Sequence, residues 1–179
     1  MKIPSVKSTK TGWRNNHPVF VFVGLFALQI LIFYCIYLPL YFQKKVFMSL
    51  IIFYAKLSGK LLNLMGQQAT VFGDTISSSQ FSMGIKMGCD AVEPMALFAA
   101  GVLAFPALFR KKLVGLLAGL FVIFVLNIVR IATLFLVGIK YPDLFEVMHF
   151  EVWQAIFIVV AIGLWFIWLS WAVRKPNKV

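Results

Sequence analysis

Four long apolar runs constrain this chain more than any other feature. They cover residues 18–42, 91–109, 113–139 and 152–173. Each approaches or exceeds the roughly 20 residues needed to cross the hydrocarbon of a bilayer. Bilayer interior offers no water to backbone amides, so a single crossing segment must satisfy them internally, as a helix. The predicted fold is therefore an all-α polytopic membrane protein with four transmembrane helices, a single domain over residues 1–179. Hydrophobic residues make up 61% of the 179, against roughly 45–50% in soluble domains, and the excess sits in these runs. The first run is too long for a signal-peptide core of about 7–15 residues and is read as a retained anchor.

The formal charge of +11 would suggest a nucleic-acid partner in a soluble protein. Here the distribution decides otherwise. Lys2, Lys7, Lys10 and Arg14 precede the first run, Arg110, Lys111 and Lys112 separate the second and third, and Arg174, Lys175 and Lys178 follow the fourth. None of these segments holds an acid. All six acids (Asp74, Asp90, Glu93, Asp143, Glu146 and Glu151) lie in the other connections. This is the asymmetry that orients membrane proteins, not a nucleic-acid groove. It predicts a multi-pass protein of the cytoplasmic (inner) membrane with both termini cytoplasmic. The segment 43–88 and the connection 140–151 would then face outward.

The outer insert 43–88 has two textures. Val46, Phe47, Leu50, Ile51, Tyr54, Leu57, Leu61 and Leu64 recur at spacings of three and four, with Lys44, Lys45, Lys56, Lys60 and Asn63 between them. That pattern predicts an amphipathic helix on the membrane surface, and Lys56 and Lys60 argue against a fifth span. Further on, Phe81, Met83, Ile85 and Met87 alternate with Ser82, Gly84, Lys86 and Gly88, a period of two that predicts a strand. With 69–72 or 75–77 as partner and Gly73-Asp74 as turn, a short β-hairpin is expected.

Three groups carry possible chemistry. Cys89 precedes a predicted helix start. Asp90 has the right type for an N-cap, with Glu93 three residues on as in a capping box. A helix N-terminus favours a thiolate, although the two acids oppose it. Arg130 interrupts an apolar run, at a cost of about 2.5–3.5 kcal/mol within a bilayer. It lies 18 residues beyond Lys112, roughly 27 Å along a helix and so near the outer boundary. Asn127 shares its face. His149 lies in the outer connection, and an imidazole suits proton transfer near neutral pH. His17 falls on the cytoplasmic side and is read as incidental. Topology places Cys89, Arg130 and His149 at one depth. Thiol, imidazole and guanidinium together suit covalent acyl transfer, as nucleophile, proton carrier and stabiliser of negative charge, with Asn127 supporting Arg130 or the oxyanion.

At these residues the chain resembles the exosortase/archaeosortase family. Gly88-Cys89 at a helix start, the run Asn127-Ile128-Val129-Arg130-Ile131 and His149 before the last helix carry the resemblance, in the same order. The compact length and the run Gly88-Cys89-Asp90-Ala91-Val92-Glu93 are similar to the small exosortase H type. The resemblance implies a membrane cysteine protease or transpeptidase. It would cleave exported proteins at a C-terminal tail made of a short motif, a transmembrane helix and a basic cluster, and pass the acyl group to an acceptor. It implies no cofactor. Two features depart from the family pattern. Asp90 and Ala91 stand where the family often has Ser and Gly, and four spans stand where many members have about eight.

Two other functions fit the sequence less well. A membrane thiol-disulfide oxidoreductase would pair Cys35 with Cys89, but no CxxC exists. A non-enzymatic transport or assembly subunit would explain the intramembrane arginine alone. A zinc site is disfavoured, because the only two histidines fall on opposite sides.

Overall fold

The computed structural model describes residues 12–42, 45–86 and 88–174. Lys2, Lys7, Lys10, Lys44, Met87, Lys175 and Lys178, all used in the sequence argument, lie outside that range. Helix α1 covers Gly12–Phe42 and α2 covers Lys45–Leu64. Three short strands follow, β1 Thr70–Phe72, β2 Thr75–Ser77 and β3 Ser82–Gly84. Helix α3 is Val92–Ala104 and α4 is Phe109–Lys140. A 3₁₀ turn at Pro142–Leu144, the single turn α5 at Phe145–Val147 and a π turn at Met148–Val152 lead into α6, Trp153–Ala172.

Among the described residues, four helical stretches are long and apolar enough to cross a membrane: Pro18–Leu40, Phe47–Leu64, Phe109–Lys140 and Pro142–Ala172. This set differs from the expected one in one member. The helix within 91–109 has only 13 residues, about 20 Å at 1.5 Å per residue. Pro106 is the cause. The residue before a proline is driven from the helical region, and Phe105 accordingly sits at φ −74°, ψ 136°.

The α3–α4 hairpin sets the depth scale. Lys112 Nζ donates to the Leu103 carbonyl at 2.6 Å, Phe98 packs against Gly119, and Asn127 donates to the Cys89 carbonyl at 2.9 Å. The two helices thus run antiparallel. Asn127 lies 18 residues beyond Phe109, about 27 Å up the helix, close to the full thickness of a hydrocarbon core. Helix α6 closes this layer, with Trp168 Nε1 donating to the Lys111 carbonyl at 2.9 Å and its ring covering Gly115.

Helix α2 is less a surface helix than a partner of the far half of α4. Tyr54 meets Phe124 at a tilt, with ring centroids 5.2 Å apart, and Ser58 Oγ reaches the Ile128 carbonyl at 3.5 Å. The two helices therefore ascend together. Ile51, Tyr54, Ala55, Ser58 and Leu62 are buried, while Lys56 and Lys60 stay exposed and Leu64 is 86% exposed. The buried stripe is rotated from the large apolar residues toward Ser58 and Gly59. At Gly59 only hydrogen leaves room for Val71 of β1.

The expected hairpin is a three-stranded antiparallel sheet in the order β1-β2-β3. Both candidate partners are used. Val71 pairs with Ile76, and Ile76 with Met83. Gly73 makes the first turn at φ 61°, a conformation that favours glycine. Ile76 and Ile85 pack into the core shared by α2 and α4.

Candidate active site

The chain makes a sharp turn between the sheet and α3, and this turn carries Cys89. Gly88 lies at φ 93° and Ala91 at φ 57°. Between them the Cys89 amide donates to the Lys86 carbonyl at 3.1 Å. The Val92 amide donates to Asp90 Oδ1 at 3.1 Å. The expected capping box does not form. Ala91, not Asp90, is the residue that caps α3, and no side-chain bond from Glu93 closes it. Asp90 instead folds inward and is 2% exposed.

Cys89 and His149 meet directly. Sγ and Nε2 lie 2.9 Å apart. Either atom can hold the shared hydrogen, so the contact is one proton transfer away from a thiolate–imidazolium pair. His149 sits in the π turn, whose wider ring of backbone atoms re-aims side chains at the junction with α6. Phe145 stacks beside the imidazole at 5.9 Å and Phe150 meets it edge-on at 4.5 Å.

Arg130 and Asn127 reach this pair through the backbone. A terminal guanidinium nitrogen of Arg130 donates to the His149 carbonyl at 3.4 Å. Its guanidinium carbon lies 5.4 Å from the Phe157 ring centroid, a cation–π contact that offsets part of its desolvation. Asn127 spends its amide on the Cys89 carbonyl rather than on Arg130. Asn127 is fully buried and Arg130 is 5% exposed. Asn127 Oδ1, Arg130 Nε and Asp90 Oδ2 have no hydrogen-bond partner, so three unpaired polar atoms surround the turn that carries the cysteine.

Burial pushes the Cys89 thiol above its ordinary value. The Arg130 charge pulls it back, Asp90 pushes it up, and Lys86 lowers it. Burial likewise raises the Asp90 carboxyl, opposed first by the backbone amides of Val92, Asp90 and Gly88 and then by Arg130. Cys35 and Cys89 are both free thiols, and Cys35 is exposed.

Two cavities flank the turn. A chamber of about 180 Å³ holds Cys89 and His149 together with Gly84, Lys86, Glu146 and Phe150. On the other side a groove of about 560 Å³ runs between α1, α3 and α6. Arg130, Asp90 and Gln154 border it, and Phe22, Ile162 and Trp165 line its apolar reach.

The family model for transmembrane exosortases matches residues 19–167, most of the chain. The chain belongs to the transmembrane exosortase family. No curated protein and no solved structure matches it. The exosortase match takes in Cys89, Asn127, Arg130 and His149, so all four residues singled out in the sequence lie within the family region. Sequence reading missed the burial of Asp90 and the Phe157 platform under Arg130. Asp90 has the composition of a solvent-facing cap, and Phe157 is one aromatic among the 19 phenylalanines of the chain.

Proposed function

We propose that this exosortase is a cysteine protease or transpeptidase acting on membrane-anchored C-terminal tails of exported proteins, with its site on the extracytoplasmic side. The observation that carries the reading is the 2.9 Å contact between Cys89 Sγ and His149 Nε2, a distance suited to proton transfer between nucleophile and base. His149 takes the thiol proton as Sγ attacks the scissile carbonyl carbon. The tetrahedral oxyanion collapses, the C–N bond breaks, and His149 returns the proton to the leaving amine. The product is an acyl-thioester on Cys89. An incoming nucleophile then gives its proton to His149, forms the new acyl bond and releases the thiolate, which recovers the proton. Arg130 favours the thiolate electrostatically and fixes the backbone of His149, while Asn127 fixes that of Cys89.

The groove supports a tail substrate. It lies beside the cysteine turn, opens between α1 and α6, and ends at polar groups. A substrate's own transmembrane helix can lie along it and present its outer end to the site. The depth of Cys89, level with Asn127, supports a scissile bond near the membrane surface.

The test is to co-express the protein with a tailed substrate. Tail release and a hydroxylamine-sensitive acyl adduct on Cys89 are expected, and Cys89→Ala removes both. Normal processing by Cys89→Ala would defeat the proposal.

A further inference from the structure

We infer that Asp90 is a positioning residue, which holds the Cys89 turn in its reactive form by using its side-chain oxygen as an acceptor inside the turn. The inference rests on the proposed cysteine chemistry for its first measurement and stands apart from it in its second.

Four observations lead to it. The Cys89 turn contains two residues in the left-handed region, Gly88 at φ 93° and Ala91 at φ 57°. Alanine has no intrinsic preference for that conformation, and its side chain strains the backbone there. Something in the turn must therefore hold it. Asp90 Oδ1 accepts the Val92 N–H at 3.1 Å, bridging the strained Ala91. No other side chain closes the start of α3.

Asp90 is also among the few polar residues in the core. With Ser58, Asn127 and Arg130 it is one of four buried polar or charged residues among those described. A carboxylate removed from water is retained only where neighbours compensate it. Here the compensation from inside the turn is the Val92 amide on Oδ1 at 3.1 Å; the amides of Asp90 and Gly88 also favour the carboxylate, and burial still raises it. These amides bracket Cys89 on both sides in sequence.

The charge of Asp90 cannot be its contribution to the chemistry. Asp90 raises the Cys89 thiol, while Arg130 lowers it. A negative group next to a nucleophilic sulfur opposes the thiolate, so an electrostatic role would call for a neutral residue. A geometric role accounts for the residue type, because Asp is a strong acceptor from nearby backbone N–H groups.

Asp90→Asn and Asp90→Ala separate these contributions. Both remove the charge, and only asparagine keeps an oxygen for the Val92 N–H. In the full-length protein with a tailed substrate, Asp90→Ala is expected to lower kcat by about tenfold or more with KM within about twofold, as a displaced nucleophile does. Asp90→Asn should stay within about threefold of the parent. The second measurement needs no substrate. Labelling of Cys89 by a bulky maleimide, mapped by peptide mass so that Cys35 does not interfere, should run at least about threefold faster in Asp90→Ala than in Asp90→Asn, because the turn opens only in the former. Equal labelling rates in the two variants would overturn the inference, as would equal loss or equal retention of processing. If the parent processes no tailed substrate, the proposed function fails, and the labelling ratio alone decides the role of Asp90.

Discussion

Cys89 and His149 can exchange a proton, but burial works against the thiolate that the exchange must produce. Arg130 is the counterweight, since its charge lowers the thiol that burial raises. In Arg130→Gln the largest offset to burial is gone and only the smaller effect of Lys86 remains, so the pH at which Cys89 alkylation by iodoacetamide is half-maximal moves up, and alkylation at neutral pH slows. A midpoint that stays put or moves down would show that the guanidinium does not act on the sulfur. His149→Ala is expected to lower tail processing about 10²–10⁴-fold, the usual contribution of a positioned acid–base group, with substrate binding retained. Initial rates against substrate concentration check this, and a variant whose KM alone changes would remove His149 from the chemistry. Asn127 was legible in sequence only as a polar group sharing a helix face with Arg130. Its partner could not be read there, because a carbonyl 38 positions away becomes a neighbour only when α3 folds back on α4.

At the scale of elements, one face of α4 both packs the bundle and delivers the site. Gly115, Gly119, Ile123 and Asn127 recur at intervals of four and are buried, and Arg130 follows on the same side. The two glycines bring α4 against the rings of Trp168 and Phe98, and the polar pair then arrives at the height of Cys89. Phe98 is 3% exposed, so a side chain at position 119 would meet a ring with nowhere to move. Gly119→Val should therefore destabilise the protein by about 1–3 kcal/mol through overpacking, read as a lower Tm in detergent. An unchanged Tm would mean that α3 and α4 are not in contact at that level. Helices longer than two turns were legible in the sequence because apolar period and length are local properties. The end of α3 was misplaced by four or five residues, although Pro106 offered the signal. The alternation from Phe81 marks one strand, but 69–72 and 75–77 read as alternative partners for it, since pairing depends on partners rather than on local pattern. The rotation of the buried stripe on α2 escaped altogether, because close approach to α4 and β1 selects Ser58 and Gly59 over larger apolar residues.

For the whole molecule, the expectation from charge was two ends of different chemistry, and the structure supplies two ends of different architecture. At the Arg110 end, Lys111 donates to the Ala172 and Arg174 carbonyls at 2.7 and 3.0 Å, and Lys112 donates to Leu103, so basic side chains cap the ends of α6 and α3. At the other end α2, the sheet and the last third of α4 rise beyond Asn127, and β3, α4 and the turns before α6 enclose the Cys89–His149 chamber. Helix α1 is held mainly against α3, and of its apolar stretch Pro18–Leu40 only Tyr37 is buried. An anchor with so little of its surface committed leaves the space between itself and α6 open as the groove. The groove therefore makes a prediction that concerns architecture rather than catalytic chemistry. Ile158 lines it and is 49% exposed, so Ile158→Trp fills the groove without displacing the core. Tail processing should fall about tenfold or more if a bulky ring excludes the substrate helix from its docking position. Alkylation of Cys89 by a small reagent should stay within about twofold, because the sulfur lies in the separate chamber. Loss of both readouts would mean that the bundle itself had been disturbed. Retention of both would mean that substrates reach Cys89 by another path, and the groove would then lose its role.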